Sequence, residues 1–189
     1  MATTFHAIYD AQYAYVWNTL RRLGIRRNEL KDFVQDVFLV VYRRLSSYDE
    51  ARPLRPWLFG IAYRVVSNRR RQERGQPPRS AVTAATEDLP SSSAGPEEAA
   101  RAAENRALVA RALEALDLEK RAVFVMHELD ECPMPEIARE LDIPLNTAYS
   151  RLRLARQAFA AAVRATAAEP TLPDVEVQTR PVRSQGERP

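Results

Sequence analysis

The sequence predicts an all-α fold: two small helical domains joined by a flexible linker, the second a helix-turn-helix. Three observations predict it. Apolar residues recur at steps of three and four through the first third of the chain and again from about residue 105. Glycine, proline and short polar turns break those runs at helix-sized intervals. Between the two blocks, residues 75–94 read GQPPRSAVTAATEDLPSSSA, rich in Pro, Ser, Thr and Ala and without a sustained apolar stripe. The expected organisation is a first domain over 1–76, a linker over 77–104, a second domain over 105–166 and a disordered tail over 167–189, where prolines and charges mix without periodicity.

The first helix carries Phe5, Ile8, Tyr9, Tyr13, Val16, Trp17, Leu20 and Leu23 on one stripe, and Gly24 is placed to cap its C-terminus. The second opens near Asn28, a residue suited to N-capping, and buries Leu30, Phe33, Val34, Val37, Phe38, Val41 and Leu45. Its opposite face shows Asp32, Gln35, Asp36 and Leu39. A leucine amid carboxylates and an amide fits a docking surface or an ordinary solvated face, and the residues alone leave both open. The loop SSYDEARPLRP leads into the third helix, which turns Trp57, Leu58, Ile61, Ala62, Val65 and Val66 inward. Around that stripe lie Arg55, Tyr63, Arg64, Asn68, Arg69, Arg70, Arg71 and Arg74. Guanidiniums interleaved with aromatic rings suit unpaired nucleic acid, because bases stack on rings while cations follow the backbone. The plainer alternative makes Trp57 and Phe59 core residues and the arginine run a helix C-terminus favoured by its dipole.

Residues 134–156, MPEIARELDIPLNTAYSRLRLAR, set a short acidic helix, a tight turn over Asp142–Leu145 and a long basic helix in series. Ile137, Ala138 and Leu141 form the inner face of the first helix. Ala148, Leu152, Ala155, Phe159 and Ala162 form that of the second, which sends Thr147, Tyr149, Ser150, Arg151, Arg153 and Arg156 outward. No acidic residue occurs from Ile143 to Ala168, whereas Asp130, Glu131, Glu136, Glu140 and Asp142 precede it. A helix that lies in a major groove needs this asymmetry, since phosphates repel carboxylates while Arg reads guanine and Asn reads adenine.

Composition narrows the function classes. Of 189 residues, 46% are hydrophobic and 28% charged, which is a globular balance. No apolar run approaches membrane-spanning length, and the N-terminus lacks the order of a signal peptide, so no membrane insertion and a cytoplasmic location are expected. The single cysteine, Cys132, precludes a disulfide framework. With only His6 and His127 beside it there is no metal-ligand spacing, and the five glycines form no phosphate-binding loop. No cofactor, metal or catalytic residue is expected, and the chain reads as a non-enzyme. The net charge of +3 is unevenly spread: residues 1–76 hold fourteen basic and seven acidic side chains. That excess, with the last long helix, gives two patches suited to a polyanion.

Three strings carry a family resemblance: DFVQDVFLVVYRRL; RPLRPWLFGIAYRVVSNRRR; and LEALDLEKRAVFVMHELDECPMPEIARELDIPLNTAYSRLRLARQAF. In this order and spacing they closely resemble the extracytoplasmic-function (ECF) class of bacterial sigma factors, over about residues 5–76 and 105–163. The resemblance implies binding to core RNA polymerase, both the β′ clamp helices and the β subunit, with Asp32, Gln35, Asp36 and Leu39 on the clamp helices. It implies that Tyr48, Arg55, Trp57, Tyr63, Arg64 and Asn68 recognise and melt the promoter −10 element. It places Asn146, Thr147, Tyr149, Ser150, Arg151, Arg153 and Arg156 on the −35 element, and it implies an anti-sigma factor as a further partner of a chain that is monomeric when free. Three positions depart from the family pattern. Tyr63-Arg64 stands where many members carry Asn, Asp142 replaces the usual turn glycine, and Asn146 replaces another frequent glycine. The alternative from another class is a stand-alone helix-turn-helix regulator, which would bind half-sites as a dimer and would not need DFVQDVF exposed.

The connector from Gly75 to Ala100 has a relaxed span of roughly 25 to 30 Å and an extended limit of about 90 Å. The two promoter elements, as the resemblance implies, lie more than two helical turns apart, which is about 70 Å or more. Promoter-specific binding is therefore expected only when polymerase holds the linker extended.

Overall fold

The computed structural model describes residues 4–73 and 96–168. Among the described residues the regular structure is helical: α1 (Phe5–Arg22), α2 (Leu30–Arg44), a 3-10 turn (Leu45–Ser47), α3 (Leu54–Glu73), α4 (Pro96–Glu114), α5 (Leu118–Phe124) continued by a π turn (Val125–Leu129), α6 (Met134–Glu140) and α7 (Leu145–Ala168). The expected all-α class holds.

α1, α2 and α3 pack pairwise into a three-helix unit, and α4, α5 and α6 pack around α7. Most of the expected stripe is buried: Ile8, Val16, Leu20 and Leu23 from α1 and its end, Leu30, Phe33, Val34, Val37, Phe38 and Val41 from α2, and Leu58, Ile61, Ala62 and Val66 from α3, whereas Phe5, Tyr13, Trp17, Leu45 and Val65 are only partly buried and Tyr9, expected on the α1 stripe, is exposed. In the second unit Ile137, Ala138, Leu141, Ala148, Leu152 and Ala155 are buried, and Phe124 stacks on Phe159 at 4.6 Å. Phe59 is fully buried and Trp57 only partly so, which divides the two aromatics that the sequence could not separate.

Two helix ends follow one rule. At Gly24, φ is +87°, its N–H donates to the Arg21 carbonyl, and the Ile25 N–H donates to that of Leu20. At Asp142, φ is +55°, its N–H donates to the Arg139 carbonyl, and the Ile143 N–H donates to that of Ala138. Both are Schellman closures with a left-handed residue after the cap. Asp142 thus takes the conformation usually given to glycine, at the steric cost a Cβ imposes there. The helix-turn-helix bend, α6 to α7, is this closure. α5 begins on Asp117, whose Oδ1 accepts from the Lys120 N–H at 2.9 Å.

Two expected boundaries change. Residues 96–104, read as linker, are the first turns of α4: Pro96 needs no N–H donor at a helix start, Glu97 and Glu98 complement the N-terminal dipole, and the alanines that follow are the best helix formers. The helix expected to open at Asn28 opens instead at Leu30, with Glu29 at the N-cap and no side-chain cap, because a backbone turn from the Arg26 carbonyl to the Glu29 N–H already bends the chain. The rest of the expected linker, residues 77–95, and the tail from residue 169 lie outside the described residues, and α7 runs through the expected start of the tail.

The two units touch. α3 packs on α6, and polar contacts cross at both ends of that seam.

Candidate nucleic-acid interface

α2 presents Asp32, Gln35 and Leu39 outward, with Leu39 48% exposed. Asp36 is half-exposed and pairs with Arg69 of α3 at 3.2 Å, while the Arg69 guanidinium lies over the Phe33 ring. Beside Leu39, an aromatic groove formed by Phe5, Tyr9, Tyr13, Phe38 and Tyr42 opens to solvent, with Tyr42 65% exposed. Sequence reasoning passed over Tyr42, although its spacing carried the signal: it lies three residues past Leu39 and seven past Gln35, on the same outward face of α2.

The six residues expected on a single-strand surface do not form one open groove. Tyr48 and Trp57 meet with ring centroids 4.6 Å apart, and the Tyr48 hydroxyl donates to the Arg52 carbonyl. The Arg55 guanidinium lies 5.3 Å from the centre of the Tyr15 ring, and Asn68 is exposed. Arg64, by contrast, reaches across the seam to donate to the Glu140 carbonyl at 2.8 Å. Tyr63 is half-buried, and its phenol pKa is raised by burial and by Glu119, with Arg151 opposing. Both therefore face the second unit.

All seven residues expected to read duplex DNA lie on the first half of α7. Asn146, Tyr149, Ser150, Arg153 and Arg156 are exposed, whereas Thr147 and Arg151 are partly covered. Arg151 pairs with Glu119 at the start of α5, and Arg156 pairs with Glu128 of the π turn at 2.6 Å. For Glu128 burial raises the pKa, but the hydrogen bonds from Arg156 and His127 outweigh it and hold the carboxyl below its ordinary value. Periodicity could not show these pairings, since Glu119 and Glu128 are distant from α7 in sequence.

Sequence reasoning also missed Glu140. It was read with the polar residues of the first helix, yet only 3% of it is exposed; it accepts from Arg52 and sits against Gly60. Its spacing carried the signal, since three residues after Ile137 lies on the same buried stripe. No group of three or more His, Cys, Asp and Glu residues among those described could hold a metal ion. None of their helices is long and apolar enough to cross a membrane.

A three-helix unit with an outward acidic and aromatic face, followed by a helix-turn-helix with a carboxylate-free reading helix, defines a two-part DNA-binding transcription protein. The comparisons agree. Residues 8–76 match the family model of sigma-70 region 2, and residues 106–159 match sigma-70 region 4. The chain is 32% identical over 137 residues to the ECF RNA polymerase sigma-E factor of Escherichia coli K12, covering 69% of this chain and 72% of that protein. It is 32% identical over 159 residues to the ECF sigma factor SigL of Mycobacterium tuberculosis H37Rv, covering 84% and 88%. Among solved structures, CnrH in complex with the cytosolic domain of CnrY has a TM-score of 0.57 at 25% identity, covering 85% of this chain and 88% of that one. The sigma factor RpoE of Bartonella quintana, in complex with the anti-sigma factor NepR, shares the fold with a TM-score of 0.59 at 18% identity, covering 82% and 96%. The chain belongs to the ECF family of RNA polymerase sigma factors. Its function is that of a sigma factor, directing polymerase to promoters, and the stand-alone regulator is not favoured.

Proposed function

We propose that the two matched regions divide the work of initiation as follows. The α2 face of Asp32, Gln35, Asp36 and Leu39 docks on the β′ clamp helices of core polymerase, and the neighbouring groove of Phe5, Tyr9 and Tyr42 widens that surface. Exposure of Leu39 and Tyr42 among carboxylates is the observation that carries this reading, because a solvated face gains nothing from an aromatic groove. Tyr48 and Trp57, with Arg55 and Asn68, supply rings and cations for unstacked bases of the −10 element. Tyr63 and Arg64 join them once the seam to α6 opens. Asn146, Thr147, Tyr149, Ser150, Arg151, Arg153 and Arg156 read the −35 element in the major groove.

The protein acts as a non-enzymatic initiation factor in the cytoplasm. Its further partner is an anti-sigma factor, an assignment supported by the RpoE relative, which was solved with one. The test is binding of purified core polymerase to wild type, Leu39→Asp and Asp36→Arg. Both substitutions lie outside the folded core, so the expected result is unchanged helicity with affinity down at least about tenfold, the effect of losing one well-placed interface contact of about 1.4 kcal/mol. Wild-type affinity in both would refute this docking face.

A further inference from the structure

A cleft of about 530 Å³, in the size range of small-molecule sites, is walled by α1, by the start of α3 and by the turn that follows α5. Its polar groups divide into two sets. The first is closed on itself: Asp130 accepts from the Tyr15 hydroxyl at 2.8 Å through one oxygen and pairs with Arg22 at 3.0 Å through the other. The second set is left over. The side chains of Asn18, Arg55 and Glu131 line the cleft and form no hydrogen bond or ion pair with another described residue; the Arg55 guanidinium only lies over the Tyr15 ring, 5.3 Å from its centre. One amide, one cation and one carboxylate thus remain open to a ligand. Most of the rest of the lining is apolar, from Ala11, Ala14, Pro56, Met126 and Leu129, with Leu129 38% exposed. Glu131 is an unexpected residue on local grounds. It sits at φ +52° in the turn that brings the Cys132 N–H onto the Met126 carbonyl at 2.9 Å, a conformation that glycine adopts without the steric cost of a Cβ. The chain bears that strain and sets a carboxylate at the cleft.

We propose that this cleft binds a small zwitterion with an apolar body, its carboxylate held by Arg55 and Asn18 and its ammonium by Glu131. A simple anion would meet the Glu131 carboxylate, and a simple cation the Arg55 guanidinium, so only a ligand carrying both charges gains at both. The apolar lining adds the burial of a hydrocarbon body against Met126 and Leu129. A dipeptide of apolar residues has this chemistry: two charged ends and a hydrophobic middle. The guanidinium that it would take is one assigned above to the −10 element, so ligand and single strand are alternatives for Arg55. That consequence rests on the function proposed above, whereas the site itself does not.

The experiment is an NMR titration of the isotope-labelled full chain with leucylleucine, its N-acetyl derivative and its amide, in wild type, Glu131→Gly and Arg55→Ala. Circular dichroism checks helicity. Glycine relieves the backbone at position 131 and Arg55 is exposed, so both variants keep the fold. The expected result is saturable shifts at Ala11, Asn18, Leu129 and Glu131 with the free dipeptide. Each capped derivative, and each variant, should bind at least about tenfold more weakly, the effect of losing one charge-assisted contact. No shifts at millimolar dipeptide, capped derivatives that bind as well as the parent, or folded variants with wild-type affinity overturn the site. Dipeptide added to the chain before core polymerase should lower run-off initiation by wild type, and unchanged initiation overturns the competition for Arg55. The titration needs neither DNA nor polymerase, so its failure leaves the sigma assignment standing.

Discussion

Replacing Glu119 by glutamine should strengthen promoter engagement. Arg151, a candidate −35 contact, is tied to Glu119 in the free chain, with the carboxylate 58% exposed and the arginine side chain 21% exposed. DNA must break that pair before the guanidinium can reach a base edge. A pair this exposed is worth about 0.2 to 1 kcal/mol, so its removal raises affinity by a factor of about 1.4 to 5. Removing the arginine works in the opposite direction and by more: loss of a bidentate base contact costs about 1 to 3 kcal/mol, a fall of about 5- to 150-fold for Arg151→Ala. The assay is competition binding of reconstituted holoenzyme to a promoter fragment at two salt concentrations, with thermal melting to confirm that each variant is folded. Because the pair is exposed, the Glu119→Gln gain should shrink as salt rises. Weaker promoter binding by folded Glu119→Gln, or wild-type binding by Arg151→Ala, would refute the idea that this carboxylate competes with DNA for a reading arginine.

Three further outcomes concern the fold. Asp142→Gly should raise thermal stability by about 1 kcal/mol, because glycine carries no Cβ penalty at φ +55°; a lower melting temperature would contradict the account of the turn. Asp117→Ala should cost about 1 kcal/mol through loss of the cap on the Lys120 N–H, read by urea denaturation, and an unchanged midpoint would count against it. The Cys132 thiol, pushed up from 9.0 to about 12 by burial and then by Glu136, Asp130 and Glu140, should make stability pH-dependent in alkali. Between those values the unfolded chain releases the proton and the folded chain keeps it, so unfolding becomes more favourable as pH rises from about 9. Urea midpoints should therefore fall more steeply with pH in wild type than in Cys132→Ala, and parallel slopes would contradict the assignment.

Much of this was legible because helix faces are written in periodicity. Ile137 with Leu141 and Ala148 with Leu152 and Ala155 fixed the helix-turn-helix, and the positive φ of Asp142 follows from there being no glycine in a turn that needs one. The helical start at Pro96 was missed because a Pro-Ser-rich approach masked an alanine-rich sequence with its own helix-start signals. What could not be read was anything that joins distant segments. Tyr15 meets Asp130, Arg52 meets Glu140 and Arg151 meets Glu119 across 115, 88 and 32 positions, and a charged residue in one sequence does not name its partner. The arrangement of the six −10 candidates depended on α6, so Tyr63 and Arg64 turned to the seam while Tyr48 and Trp57 packed together with their rings tilted.

Run-off transcription with purified bacterial core polymerase, on a library of upstream fragments, bears most directly on the central claim. With wild-type chain the account predicts initiation at discrete start sites, abolished by Asp36→Arg and strongly reduced by Arg151→Ala. Specific duplex binding by the chain alone, without any polymerase-dependent initiation, would contradict it.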